Sequence, residues 1–175
     1  MKQKIIIGVI GPGENATPDN NKIAYEMGKA IALEGWVTLT GGRSFGVMDA
    51  ALKGASENNG LTMGILSARN PKESSMYAQL KVVTGMGSGR NLINVLTSDV
   101  IVVVGMSPGT AAEVALAIKN DRRTILLCQD DLTIEFFKKI GEYKIQHVRT
   151  VPDAIGLIKD YLAVNRGKTT SAASF

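Results

Sequence analysis

Asp99-Val100-Ile101-Val102-Val103-Val104-Gly105-Met106-Ser107-Pro108-Gly109-Thr110-Ala111-Ala112-Glu113 is the stretch that decides how this chain folds. It opens as an unbroken β-branched run, the pattern of a strand covered on both faces. It breaks at Gly105 and restarts at Pro108 as an alanine-rich amphipathic helix through Lys119. A buried strand, a tight turn and a helix opening on small residues make an anion site. The first amides of a helix have no internal partner, and the helix dipole adds partial positive charge there. The expected ligand is a phosphorylated small molecule held at the carboxyl ends of a parallel sheet.

Working outward, strands and helices alternate along the whole chain. Strands are expected over 4–10, 36–40, 61–66, 79–83, 99–104, 123–128 and 144–148, and helices over 21–34, 46–58, 89–98, 108–119, 133–140 and 152–164. Gly35 is the stop of the first helix. A polar loop fills 67–78. Such alternation implies right-handed crossovers, and so a single doubly wound, mainly parallel α/β sheet of about seven strands with helices on both faces. The expected organisation is one nucleotide- or phosphate-binding domain over 1–165 and a flexible tail over 166–175.

The bulk numbers fit one soluble domain. The chain has 175 residues, 45% hydrophobic but only 5% aromatic, which suits an aliphatic interior. The net charge of +4 is spread along the sequence. It reads as general attraction for anions rather than a nucleic-acid footprint. A single cysteine, Cys128, excludes an internal disulfide and suits a reducing cytoplasm. It falls at the end of an expected buried strand, as a small core residue. No signal peptide and no apolar run long enough to span a bilayer is visible, so no membrane partner is expected. With one histidine, His147, on the last strand, there is poor material for a zinc site, and no catalytic metal is expected.

Three glycine-bearing loops should meet at the strand ends, where such folds bind ligands. The first, Gly8 to Glu14, carries GxxGxG with Gly11 at its centre. It is not the GxGxxG dinucleotide fingerprint, and Thr40-Gly41-Gly42-Arg43 occupies the place of the usual acidic residue, so ordinary NAD binding is disfavoured. This loop is either a plain tight turn or a ligand contact. In the second loop, Gly41 and Gly42 allow close backbone approach. Arg43 either grips a phosphate bidentately or is a solvated loop arginine. The third region joins Gly85-Met86-Gly87-Ser88-Gly89-Arg90-Asn91 and Asn94 to the opening stretch. Arg90 and Asn94 are four apart and share a helix face. Arg90 sits in a first turn, where a cation opposes the dipole, so it either awaits an anion or pairs with Glu113. Glu113 itself has two registers. Thr110 caps the helix and Glu113 closes a capping box, or Ser107 caps, Pro108 is the first helical residue, and Glu113 is free to bind hydroxyls or act as a base.

The Gly41-Gly42…Gly46-Val47-Met48 loop, the Gly85-Met86-Gly87…Arg90-Asn91…Asn94 segment and the Gly109-Thr110-Ala111-Ala112-Glu113 helix start come in a familiar order. Over about 4–162 they resemble the Lonely Guy superfamily, and within it the molybdenum cofactor carrier branch. The resemblance implies a Rossmann-like fold, self-association as a homodimer or homotetramer, and a phosphorylated pterin or nucleotide as ligand. It implies the molybdenum cofactor as cargo. The superfamily's hydrolases cleave the N-glycosidic bond of nucleoside 5′-monophosphates, including cytokinin ribotides, through a PGGxGTxxE motif and an upstream Arg-Lys pair. Glu113 and Arg90 match that glutamate and arginine, and Gly109-Thr110 match the phosphate-binding pair. Gly105, Met106 and Ser107 stand where the motif has proline and two glycines, and Asn91 where it has lysine. Arg90-Asn91 is similar to the carrier branch. The departures at Met106 and Ser107 are expected to strain the loop and to push the Met106 side chain into the ligand's space. The balance favours a binding and carrier protein. The alternative is a phosphoribohydrolase with Arg90 and Glu113 as catalytic pair. Two apolar helix faces, Ile93 with Leu96 and Ala115 with Ile118, are the candidate surfaces for self-association.

Overall fold

β-branched runs become strands covered on both sides. In β5 (Val100–Val104) every residue is buried. Val100, Val102 and Val104 enter one apolar cluster, while Ile101 and Val103 enter another. That is the two-residue period of a strand, with a core on each face. Truncating Ile101 to alanine would cost about 2–5 kcal/mol, the usual toll for a buried isoleucine.

The computed structural model describes residues 3–171, with side chains through residue 164. In chain order the elements are β1 (Ile6–Ile10), α1 (Pro18–Leu33), β2 (Val37–Thr40), α2 (Gly46–Ser56), β3 (Thr62–Leu66) and β4 (Leu80–Val83). Then come α3 (Arg90–Thr97), β5, α4 (Pro108–Lys119), β6 (Arg123–Leu127), α5 (Asp131–Gly141), β7 (Ile145–Val148) and α6 (Val151–Ser171). The seven strands form one sheet in the order β4-β3-β2-β1-β5-β6-β7. Each neighbouring pair is parallel. Ala24, Met27 and Ile31 of α1, Val47 and Ala51 of α2, and Ala154 and Ile158 of α6 cover one face. Val95 of α3, Val114 and Ala117 of α4, and Ile134 and Phe137 of α5 cover the other. The doubly wound, Rossmann-like α/β sheet expected from the alternation is therefore present.

Several boundaries differ. α1 starts at Pro18, three residues before the expected start. Thr17 Oγ1 accepts from the Asn20 amide at 3.1 Å, and Asn20 Oδ1 accepts from the Thr17 amide at 3.2 Å. This is a reciprocal cap built with Asn in place of the usual Glu or Gln. α5 starts at Asp131 because the Asp130 carboxylate accepts from the Thr133 amide at 2.9 Å. α2 ends at Ser56, two residues early. α6 runs on to Ser171, so residues 166–171, expected in the tail, have helical backbone. Residues 172–175 of that tail lie outside the described residues.

Cys128 corrects a further expectation. β6 closes at Leu127, and Cys128 is exposed at φ +54°, its thiol donating to the Arg149 carbonyl at 2.7 Å. It belongs to the turn after the strand, not to the core.

Candidate functional site

The strand order reverses at β1. The chain leaves β1 toward β2 on one side, and β5 toward β6 on the other. Loops after two such strands diverge and leave a crevice. A cleft of about 320 Å³ lies there. Its walls are Gly11 to Asn15 after β1, Arg43 after β2, Met48 of α2, Arg90 and Asn91 opening α3, and Ser107, Gly109, Thr110 and Glu113 opening α4.

The start of α4 settles the capping alternatives. Ser107 is the N-cap, with extended backbone at φ −152°, and Pro108 is the first helical residue. Ser107 Oγ accepts from the Thr110 amide at 3.2 Å and shares a 2.8 Å hydrogen bond with Thr110 Oγ1. The Ala111 amide donates to the Ser107 carbonyl at 2.8 Å. Pro108 has no N–H, so Gly109 keeps the free amide of this turn, exposed at the cleft. Both the Gly109 and Thr110 amides were expected to meet an anion; the cap occupies the second.

Freed from capping, Glu113 reaches the cleft floor. It is 7% exposed and accepts from Asn94 Nδ2 at 2.8 Å. Arg90, 8% exposed, brings Nη1 to 3.9 Å from the same carboxylate oxygen. Arg90 Nε is buried without a partner. Burial pushes the Glu113 carboxyl above its usual value, while the Asn94 hydrogen bond and the Arg90 charge oppose it. Burial likewise pulls the Arg90 guanidinium down, with Glu113 acting against that. At the mouth, Arg43 Nη2 lies 3.1 Å from Glu14 Oε1 and 3.8 Å from Glu73, and its guanidinium stacks 4.9 Å from the centre of the Phe45 ring. The cleft therefore carries two arginines and two carboxylates, and among the described residues no nitrogen of the Arg90 guanidinium makes a hydrogen bond.

Of the residues singled out from sequence, Gly11, Arg43, Arg90, Asn91, Ser107, Gly109, Thr110 and Glu113 line this cleft. Gly41, Gly42, Gly87 and Asn94 do not. A Cβ on Gly41 would fall 2.4 Å from Arg90 Nη1, so this glycine makes room for an arginine rather than for a ligand. Gly42, at φ +73°, packs against Gly64 of β3. The Gly87 amide donates to the Ser67 carbonyl at 3.0 Å, ahead of α3. Asn94 acts through Glu113. Gly11 lies against the end of β5, where a Cβ would meet the Val104 carbonyl at 2.2 Å. Sequence reasoning passed over Glu14, Asn15 and Met48 as individual residues. Their signal was position alone: Glu14 closes the first loop, Asn15 follows it, and Met48 lies in the first turn of α2.

The strain expected at Met106 and Ser107 is absent among the described residues. Positive φ falls on Gly105, at +68°, and neither Met106 nor Ser107 adopts it. Met106 packs against the second apolar cluster instead of entering the cleft. No group of three or more His, Cys, Asp or Glu suited to a metal ion occurs among the described residues. No helix among them is long and apolar enough to cross a membrane.

Comparison with known proteins places this architecture. The SLOG cluster4 family matches residues 4–155. The molybdenum cofactor binding protein of Rippkaea orientalis is 47% identical, with a TM-score of 0.91 over 93% of this chain and 99% of that one. The molybdenum cofactor carrier protein of Chlamydomonas reinhardtii is 45% identical, with a TM-score of 0.88 over 92% and 99%. An uncharacterised protein of Archaeoglobus fulgidus is 40% identical over 121 residues, 69% of this chain and 78% of that protein.

Proposed function

The chain belongs to the SLOG cluster4 family, and on that footing we propose that it binds and carries the molybdenum cofactor. The observation that carries this reading is the likeness to two molybdenum cofactor proteins over 99% of their chains. The cleft chemistry supports it. A phosphorylated pterin offers acceptor oxygens at one end and ring N–H donors at the other. The Gly109 amide, at the positive end of α4, suits the phosphate, and the Arg90 guanidinium lines the same cleft. Glu14 and Glu113 offer carboxylate oxygens that suit ring N–H groups. Binding needs affinity and slow release, and no covalent step. The test is transfer: protein loaded with cofactor and freed of excess is mixed with a cofactor-free molybdenum enzyme. Recovery of that enzyme's activity supports the carrier; no recovery from loaded protein opposes it.

A second reading follows from one observation, the buried Arg90–Glu113 pair at 3.9 Å with the Glu113 carboxyl shifted up. That pairing is what a phosphoribohydrolase would use to cleave a nucleoside 5′-monophosphate. Asn91, where the hydrolases place lysine, weighs against it.

Self-association is part of the proposal. Of the two expected faces, Leu96 of α3 is 45% exposed and Ala115 of α4 is exposed, whereas Ile93 is half-buried and Ile118 packs against the second apolar cluster; Leu92 of α3, 37% exposed, adds to the open surface. The edge strand β4 leaves Leu80, Val82 and Val83 open as well. A second copy would cover this apolar surface. We place the protein in the cytoplasm, on its single free cysteine and its cargo.

A further inference from the structure

Helix α5 is amphipathic twice over. Ile134 and Phe137 are buried against the sheet. On the opposite side Leu132, Phe136 and Ile140, spaced by four, are 77%, 55% and 47% exposed. Residues four apart lie one above the other on a helix, so these three form a continuous ridge. Apolar side chains this exposed in a row mark a contact surface.

The charges beside the ridge have opposite signs toward its two ends. Asp130, Asp131 and Glu135 precede its midpoint, while Lys138 and Lys139 follow it. Asp131 is paired with Arg149 at 3.3 Å. Glu135, Lys138 and Lys139 make no ion pair among the described residues. Leu132 and Ile140 are symmetric about Phe136, and Glu135 and Lys139 about the next residue. The two centres differ by one residue, about 1.5 Å along the helix. A pattern whose two centres lie this close, with opposite charge on its two sides, complements itself when run backwards.

We propose that α5 is a self-association surface on which a second copy of this chain packs antiparallel about a two-fold axis at Phe136. Phe136 meets Phe136 of the partner subunit, and Leu132 meets the partner subunit's Ile140. Glu135 faces Lys139 of the partner subunit, twice by symmetry. A parallel neighbour would set like charges together, and a partner of uniform charge would satisfy only half the helix. One helix face covers less than the roughly 800 Å² per partner of a stable complex, so this interface is weak alone and adds to the α3–α4 surface in a larger assembly. The proposal is independent of what the cleft binds.

The test is sedimentation velocity over a concentration series with the full chain. Wild type shows a concentration-dependent association step that Phe136→Asp removes; both residues are tolerable at this exposed site. Glu135→Lys and Lys139→Glu each weaken that step about ten-fold, because each sets two like-charge pairs across the axis. An equimolar mixture of these two variants recovers wild-type association, because every pair across the axis is again of opposite charge. If wild type shows no step sensitive to Phe136→Asp, or if the mixture associates no better than either variant alone, the antiparallel α5 interface is wrong.

Discussion

Gly41 and Arg90 are fitted to one another: a Cβ on Gly41 would lie 2.4 Å from Arg90 Nη1 and 2.6 Å from the Met48 sulfur. The bare backbone after β2 is the space in which the guanidinium lies against the cleft floor. Gly41→Ala must therefore displace Arg90, leaving the fold in place while moving the cation from its site. Removing one charge-assisted hydrogen bond costs about 1.5–3 kcal/mol, or about 10–100-fold in affinity. Titration with a phosphorylated pterin should show that weakening, with circular dichroism unchanged.

The raised Glu113 carboxyl gives the protein a pH signature. Burial disfavours its charged form in the folded state, so the folded chain binds that proton more readily than the unfolded chain. The associated stability is fully present below the unfolded value of 4.5 and is lost as pH rises through the higher folded value. Glu113→Gln should lack this downward slope in denaturant titrations stepped upward from pH 4.5. Anion affinity should follow the same direction, since a neutral Glu113 does not repel a phosphate.

Turnover of nucleoside monophosphates should be absent or feeble. Arg90 and Glu113 stand together, but Asn91 supplies no positive charge. A transition state deprived of one electrostatic donor forms about 10²–10³ more slowly. Release of free base at about 1 s⁻¹ or faster, the ordinary enzyme range, abolished by Glu113→Gln, would replace the carrier reading with the hydrolase reading.

Leu96→Glu places a charge in the exposed apolar face of α3, where Leu96 is 45% exposed. It should lower the mass of the assembly in light scattering at micromolar concentration while leaving the fold intact. A wild-type protein that is monomeric under those conditions would remove the α3–α4 surface from the account.

The parts legible in the sequence are those whose cause is local. The run from Val100 to Val104 alternates between two cores. α4 occupies 108–119, the span its Ser107-Pro108 start and its periodicity imply. The Thr17 cap was hidden because Asn20 takes the role usually given to Glu or Gln. Cys128 was misplaced because a strand ending one residue early changes burial completely. The tasks of Gly41 and Asn94 were illegible for a different reason. Each acts on a side chain from another element, Arg90 of α3 and Glu113 of α4, and only the packed sheet brings them together. Met106 was read as an obstruction because the loop's turn was assigned to the wrong residue; Gly105 takes the positive φ.

The central claim is that the α4 start holds the cargo's anionic end, and Gly109→Asp tests it most directly. Gly109 is exposed, and the nearest atom to a Cβ there is Ser107 Oγ at 4.0 Å, so a side chain fits. An acidic residue in a first helical turn is favourable to the helix, by about 0.3–1 kcal/mol. The same charge opposes a bound phosphate. The measurement is pterin retained per chain after loading with the molybdenum cofactor and gel filtration, alongside the thermal midpoint. The account predicts near-stoichiometric retention by wild type, and retention abolished in Gly109→Asp with an unchanged or higher midpoint. Equal retention by the two proteins would contradict it.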